Sequence, residues 1–401
     1  MSHCKALATL ALSVTLALPA HALPYHENDD ARYSFAQTYL GVESLADDQG
    51  RLIPGLSIGG VHFWGHADIY VKFGLPSLLS PASPDGRWRR GVETGASYFP
   101  WRIDYGRPAP FVGFSWLAGT FTPQADGLTG PEIAVHRLPI KLGLNWLTHG
   151  GLWELGTEWL PFSTVSAPTP SGSREALLPP FSVWLSYKLL FDTTFHEEPL
   201  RPEIDARNAE RLARHELNDL FLAVGPSSAF TLTPSAFNDA YRPQAGPHVP
   251  SVNMPEFALG YQIQDWDTAV VLNYRQMEQE QQAYGLTQRY ARRAIGLEAF
   301  KFLFDYQGFT PFVGAGLGHE ALSFSESGSG ADLASATGER WAPYLVFGWD
   351  IRPHIGVPFI LRTNLRYAPA LALQVNGRDV PYDHLEFNFI QLVLYPERFF
   401  K

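Results

Sequence analysis

Charged residues recur at alternate positions inside otherwise apolar stretches of this 401-residue sequence. Asp68 and Lys72 share one parity, as do Glu154 and Glu158, and Arg362 and Arg366. With Lys141, Lys188, Arg275, Lys301, Asp350 and Glu386 they form a set of both signs. On the inside of a wide closed sheet, such a set would line an aqueous passage and bias which ions cross it. Inside a narrow one, the same charges would pair and close the space. The residues alone leave both outcomes open.

Other chemistry is harder to assemble. A lipid-cleaving site needs a nucleophile and a base within hydrogen-bond reach. A His and a Ser two apart on one strand would supply both on one face, and no such pair occurs after residue 22. His62 and His66 flank a turn, and two ligands fall short of the three or four a metal site wants. No catalytic residue, metal or cofactor is therefore expected. Arg87, Arg89 and Arg90 in "RWRR", and Arg292 and Arg293 in "ARRA", lie at strand ends. They could hold lipopolysaccharide phosphates. Charged loop ends facing water are the plainer reading.

The elements that would position these residues read as strands. The first residues are set apart as an export signal: a short polar start, an apolar run "ALATLALSVTLAL", then "AHA" before Leu23. The one cysteine, Cys4, falls in that segment, so no disulfide is expected. The formal charge of −10 argues against a nucleic-acid partner. Aromatics reach 14% and charges only 17%. No stretch after the signal has the roughly 18 apolar residues of a spanning helix. Instead, apolar and polar positions alternate. Ile140, Leu142, Leu144 and Trp146 oppose Lys141, Gly143 and Asn145. Trp153, Leu155, Thr157 and Trp159 oppose Glu154, Gly156 and Glu158. Large apolar faces backed by charges at mid-strand fit a transmembrane barrel better than a sandwich core. Short connections alternate with long ones rich in Gly, Pro and Ser, and the short ones would be periplasmic. Trp64, Trp101, Trp146, Trp153, Trp266 and Trp349 lie near them, as an interfacial girdle would.

The pattern is written twice. "DYGRPAPFVG" at Asp104–Gly113 returns as "DYQGFTPFVG" at Asp305–Gly314, with six of ten positions identical. At the same offset Pro54 matches Pro255, Gly59 matches Gly260, Gly95 matches Gly296 and Phe111 matches Phe312. The expected organisation is a signal peptide at 1–22, a first eight-strand repeat at 23–192, a helical periplasmic linker at 193–217 and a second repeat at 218–401. "PFVGAGLG" after a turn resembles the OmpA-like and OmpW-like superfamily of eight-stranded outer-membrane barrels. That resemblance implies the fold and carries no functional residues.

Sixteen strands can close in two ways. One antiparallel up-and-down barrel of sixteen is the leading expectation, and two tandem barrels of eight are the alternative. The matching function is a porin-like passive channel for small hydrophilic solutes in the bacterial outer membrane. A non-conducting barrel acting through its outer loops is the second reading, and a lipid-modifying enzyme the third. Expected partners are outer-membrane lipid, lipopolysaccharide and, during biogenesis, the barrel-assembly machinery. The oligomeric state stays open.

Overall fold

The computed structural model describes residues 37–62, 65–78, 86–148, 151–192, 202–217, 219–246, 251–305, 309–328, 330–352 and 356–400. The expected signal peptide, with Cys4, and Trp64 lie outside these residues. In chain order the first repeat forms β1 (Gln37–Asp47), β2 (Leu52–His62), β3 (Ala67–Gly74), β4 (Gly86–Tyr98), β5 (Pro108–Ala125), β6 (Leu128–Thr129), β7 (Ile133–Arg137), β8 (Ile140–Thr148), β9 (Gly151–Trp159), β10 (Thr164–Thr169), β11 (Gly172–Leu177) and β12 (Phe181–Asp192). Helix α1 (Pro202–Ala213) follows, then β13 (Asp219–Thr231), α2 (Ala236–Tyr241), β14 (Ser251–Ile263), β15 (Thr268–Ala283), β16 (Leu286–Phe302), β17 (Phe309–Gly328) and β18 (Ala331–Ile351). The chain ends with β19 (Phe359–Ala368), β20 (Ala372–Val375), β21 (Arg378–Pro381), β22 (His384–Leu394) and α3 (Glu397–Phe400).

Sixteen of these strands build walls, but not one wall. In the first repeat the order is β4-β3-β2-β1-β12-β9-β8-β5, and β5 pairs back to β4. In the second, β13, β14, β15, β16, β17, β18, β19 and β22 form a closed barrel. Each repeat therefore seals its own edges through pairing of its first and last strands, β1 with β12 and β13 with β22. The leading expectation of a single sixteen-stranded barrel is corrected to two rings of eight. Closure within a repeat leaves no edge to offer the other repeat, and an edge left open is costly in lipid.

The lipid-facing sides are apolar and exposed. Leu142, Leu155 and Leu185 in the first ring, and Leu272, Leu297 and Leu345 in the second, have no protein covering them. Their strand neighbours Lys141, Glu154, Ser186, Asn273, Glu298 and Val346 are buried inside. Inside-out polarity of this kind is the mark of a transmembrane barrel. Among the described residues no helix is long and apolar enough to cross a membrane.

Long connections sit at one end of each ring, the outer end. Three of them fold as hairpins over two-residue turns in which both residues have positive φ: Asp126-Gly127, Tyr284-Gly285 and Asn376-Gly377. Such turns match the twist of their strands. Strands β15 to β18 run 16 to 21 residues, well beyond the 9–11 or so that a bilayer requires. Thr122–Ala134 and Ala167–Arg174, from the long connections of the first repeat, belong to the same compact unit as residues 195–401. Within it Tyr284 donates its hydroxyl to the Pro168 carbonyl at 2.9 Å, and its amide to that of Thr129 at 2.9 Å.

Candidate functional site

Each lumen is built on aromatic rings laid across glycines. Tyr39 faces Gly59, Phe111 faces Gly143, and Trp184 faces Gly156 in direct cross-strand pairs of the first ring. Phe221 faces Gly260, Phe312 faces Gly348, and Tyr344 faces Gly316 in the second. A Cβ at Gly156 would lie 2.3 Å from Trp184 Cζ2, and one at Gly260 2.1 Å from Phe221 Cζ. Only glycine lets a ring lie flat across a wall this tightly curved. Several positions that match between repeats are members of these pairs.

The charges fill the remaining space. In the first lumen Arg90 donates to Glu158 at 2.5 and 3.0 Å and to Glu93 at 2.7 Å. Lys141 bonds Glu93 and lies 3.7 Å from Glu158. Lys188 donates to Asp68 at 2.6 Å and Glu154 at 2.7 Å. Lys72 pairs with Glu43 at 2.7 Å. Rings close the gaps: the Trp184 indole donates to Glu154 at 2.8 Å and lies 4.9 Å from both Lys72 and Lys141. A cavity of about 10 Å³ among Glu43, Lys72, Arg90 and Glu93 has room for about one water.

In the second lumen arginine replaces lysine. Arg366 reaches three carboxylates: Glu256 at 2.6 Å, Glu298 at 2.5 Å and Glu386 at 3.3 Å. Arg275 meets Glu386 at 3.0 Å, and Arg292 meets Glu320 at 2.7 Å. Arg362 holds Asp350 through two bonds at 2.7 and 3.0 Å. Its guanidinium lies 5.0 Å from the centres of the Phe221 and Phe300 rings. Planar forks that serve several carboxylates at once suit a crowded site better than ammonium groups.

Both ends of the second lumen are stoppered. At the short-turn end Arg398, from α3, donates to Asp219 at 2.8 Å and to the Val357 carbonyl at 3.2 Å. It also lies 3.9 Å from the centre of the Tyr395 ring. Asn208 of α1 is buried and donates to the Arg398 carbonyl at 3.1 Å, which anchors the linker helix. At the outer end α2, started by Ser235 accepting from the Asn238 amide, places Phe237 among Tyr290, Phe324, Leu373, Val380 and Tyr382. Burial raises the Tyr382 phenol above its ordinary range, so it stays protonated and donates to the Ser323 carbonyl.

Eleven of the twelve residues expected in the lumen are there. Asp68, Lys72, Lys141, Glu154, Glu158, Lys188, Arg275, Asp350, Arg362, Arg366 and Glu386 are each at most 3% exposed. Lys301 is not among them. It faces outward with a side chain 55% exposed, donating to the Trp266 carbonyl at 2.6 Å. Its neighbours Phe300 and Phe302 take the inside, because aromatic rings fill this end of the lumen. Arg90 and Arg292, read as loop-end cations that could hold lipopolysaccharide phosphates, are corrected too: both are buried in lumenal ion pairs. Arg87, Arg89 and Arg293 are exposed. Trp101 lies in the connection between β4 and β5, and Trp266 in that between β14 and β15. Trp146 pairs directly with Trp153 beside a short turn, and Trp349 lies two residues from the end of β18.

Sequence reading missed Glu43, Glu93, Glu256, Glu298 and Glu320 as lumenal. Their parity was legible. Glu256 alternates with Phe257 and Leu259, and Glu298 lies between outward-facing Leu297 and Ala299.

No protein-family model and no curated protein matches the sequence. Among solved structures, Neisserial surface protein A is similar at 13% identity over 44% of this chain and 95% of its own, with a TM-score of 0.30. Ail, the attachment invasion locus protein of Yersinia pestis, is similar at 13% identity over 44% and 96%, TM-score 0.28. An outer membrane channel from Pseudomonas putida F1 is similar at 10% identity over 92% of this chain and 99% of its own, TM-score 0.22.

Proposed function

We propose that this chain is an outer-membrane protein of two non-conducting eight-stranded barrels, which works through the loops and tall strands at its outer ends. One observation carries the reading: the charged side chains inside both rings are almost wholly buried. In an open pore those groups would be the wetted surface. Here they bond one another instead, as a ring of eight strands requires. This weighs against the passive channel that a sixteen-stranded wall would have supported. The reading assigns no catalytic role. The outer ends favour a surface role, since β15 to β18 extend past the lipid belt and carry a packed apolar cap there.

Single-channel recording on the refolded chain in a planar bilayer tests the reading. A silent membrane under applied voltage is expected. Steady ohmic steps would refute it and restore the channel.

A further inference from the structure

Strands β8 and β9 of the first ring have nine residues each, the lower end of the roughly 9–11 that a bilayer requires. Trp146 pairs with Trp153 at the short-turn end, and Ile140 pairs with Trp159 at the outer end, so both strands give the same span. Six residues at about 3.3 Å each cover roughly 20 Å along the strand. With a tilt of about 40° that is roughly 15 Å along the membrane normal, against an apolar band of about 25 Å. Beyond Ile140 and Trp159, about 10 Å of that band is left for the residues that follow these strand ends to cover.

Apolar side chains continue beyond the strand ends there. Leu138 and Leu177 are exposed, and Phe162 is 89% exposed. They adjoin an outer row in which Phe114, Ile140, Trp159 and Phe181 are direct neighbours on four adjacent strands. Phe162 also has φ of 58°, a conformation a phenylalanine seldom adopts. Strain at an exposed aromatic residue is a pointer to function. The segment is held on both sides of it. The Leu160 amide donates to the Pro180 carbonyl at 2.8 Å, and the Leu178 amide to that of Ser163 at 2.7 Å. Arg137 Nη2 donates to the Thr164 carbonyl at 2.6 Å.

We infer that Phe162, with Leu138 and Leu177, forms a lipid-inserting lip on the first barrel, seated in the acyl chains of the outer leaflet. The occupant follows from continuity: the patch extends the lipid-facing row of Phe114, Ile140, Trp159 and Phe181 past the ends of the two nine-residue strands. This rests on the transmembrane reading of the barrel.

The test uses a chain with Cys4→Ser, leaving no cysteine, and single changes Phe162→Cys, Leu177→Cys, Leu142→Cys and Ser171→Cys. Each is labelled with a small environment-sensitive fluorophore and refolded into vesicles of brominated phosphatidylcholine. The label at 162 should be quenched to within about two-fold of the label at 142, in the middle of the belt. The label at 171, on an exposed turn, should be quenched by aqueous iodide instead. A label at 162 that behaves like the one at 171 overturns the lip. Should the Phe162→Cys chain fail to fold, the label at 177 decides by the same criterion. If the label at 142 is also unquenched, the transmembrane reading itself has failed.

Discussion

Replacing Arg366 by methionine removes one side chain and leaves three carboxylates without a shared partner. Its nitrogens lie 2.6 Å from Glu256, 2.5 Å from Glu298 and 3.3 Å from Glu386. With charge centres about 4 Å apart and an effective dielectric near 20, each attraction is worth about 4 kcal/mol. The gross sum of about 12 kcal/mol is offset by the cost of desolvating the guanidinium and by repulsion among the acids. Breaking a buried pair by deleting one member costs about 3–5 kcal/mol net, and Arg366→Met should fall in that range. Two arginines, Arg275 and Arg292, still serve Glu386, so Glu256 and Glu298 carry most of the loss. Adding Glu298→Gln should recover part of the stability, because one stranded charge is gone. The assay is equilibrium urea unfolding in micelles, followed by the shift in heat-dependent gel mobility and by circular dichroism. A fall in midpoint at constant slope reads as lost stability. A cost below about 1 kcal/mol would match a solvated surface pair and refute the claim that this lumen is dry.

Further outcomes follow from the same packing. Gly156→Val drives a side chain into the Trp184 ring and should destabilise by about 1–3 kcal/mol in the same assay. Lys141→Gln breaks a buried lumenal cluster and should cost about 3–5 kcal/mol. Lys301→Gln, on the outside, should stay within about 0.5 kcal/mol. Phe237→Ala opens the outer cap of the second barrel; it should cost about 3–5 kcal/mol and speed limited proteolysis between β13 and β14.

Most of the wall was legible, because a two-residue period leaves little choice of face. The opposition of Ile140, Leu142 and Leu144 to Lys141 and Asn145 is the arrangement found. What the sequence could not show is which strand closes on which. β12 ends where either β1 or β13 could pair with it, and alternation is the same in both cases. The inward glycines were the available clue: a ring across Gly59 or Gly260 needs a narrow, strongly curved wall. Charge was read too literally. Lys301 was assigned to the lumen because it is charged, yet the rings of Phe300 and Phe302 are better buried inside, and a lysine near a turn can reach water from the outer face. Arg90 and Arg292 failed in the opposite sense. They look like loop-end cations, but parity with Trp88 and Ala294 places them inward.

The closure of each repeat on itself is the claim on which the filled lumens depend, and cross-linking tests it most directly. Val42 lies opposite Tyr187 across the β1–β12 seam, and Leu222 opposite Leu394 across the β13–β22 seam. In a chain carrying Cys4→Ser, the pairs Val42→Cys with Tyr187→Cys and Leu222→Cys with Leu394→Cys should each form a disulfide under mild oxidation in the folded state. A sixteen-stranded barrel would instead pair β1 with β22 and β12 with β13. Failure of both seam pairs, together with efficient cross-linking of cysteines placed on β12 and β13, would contradict the account.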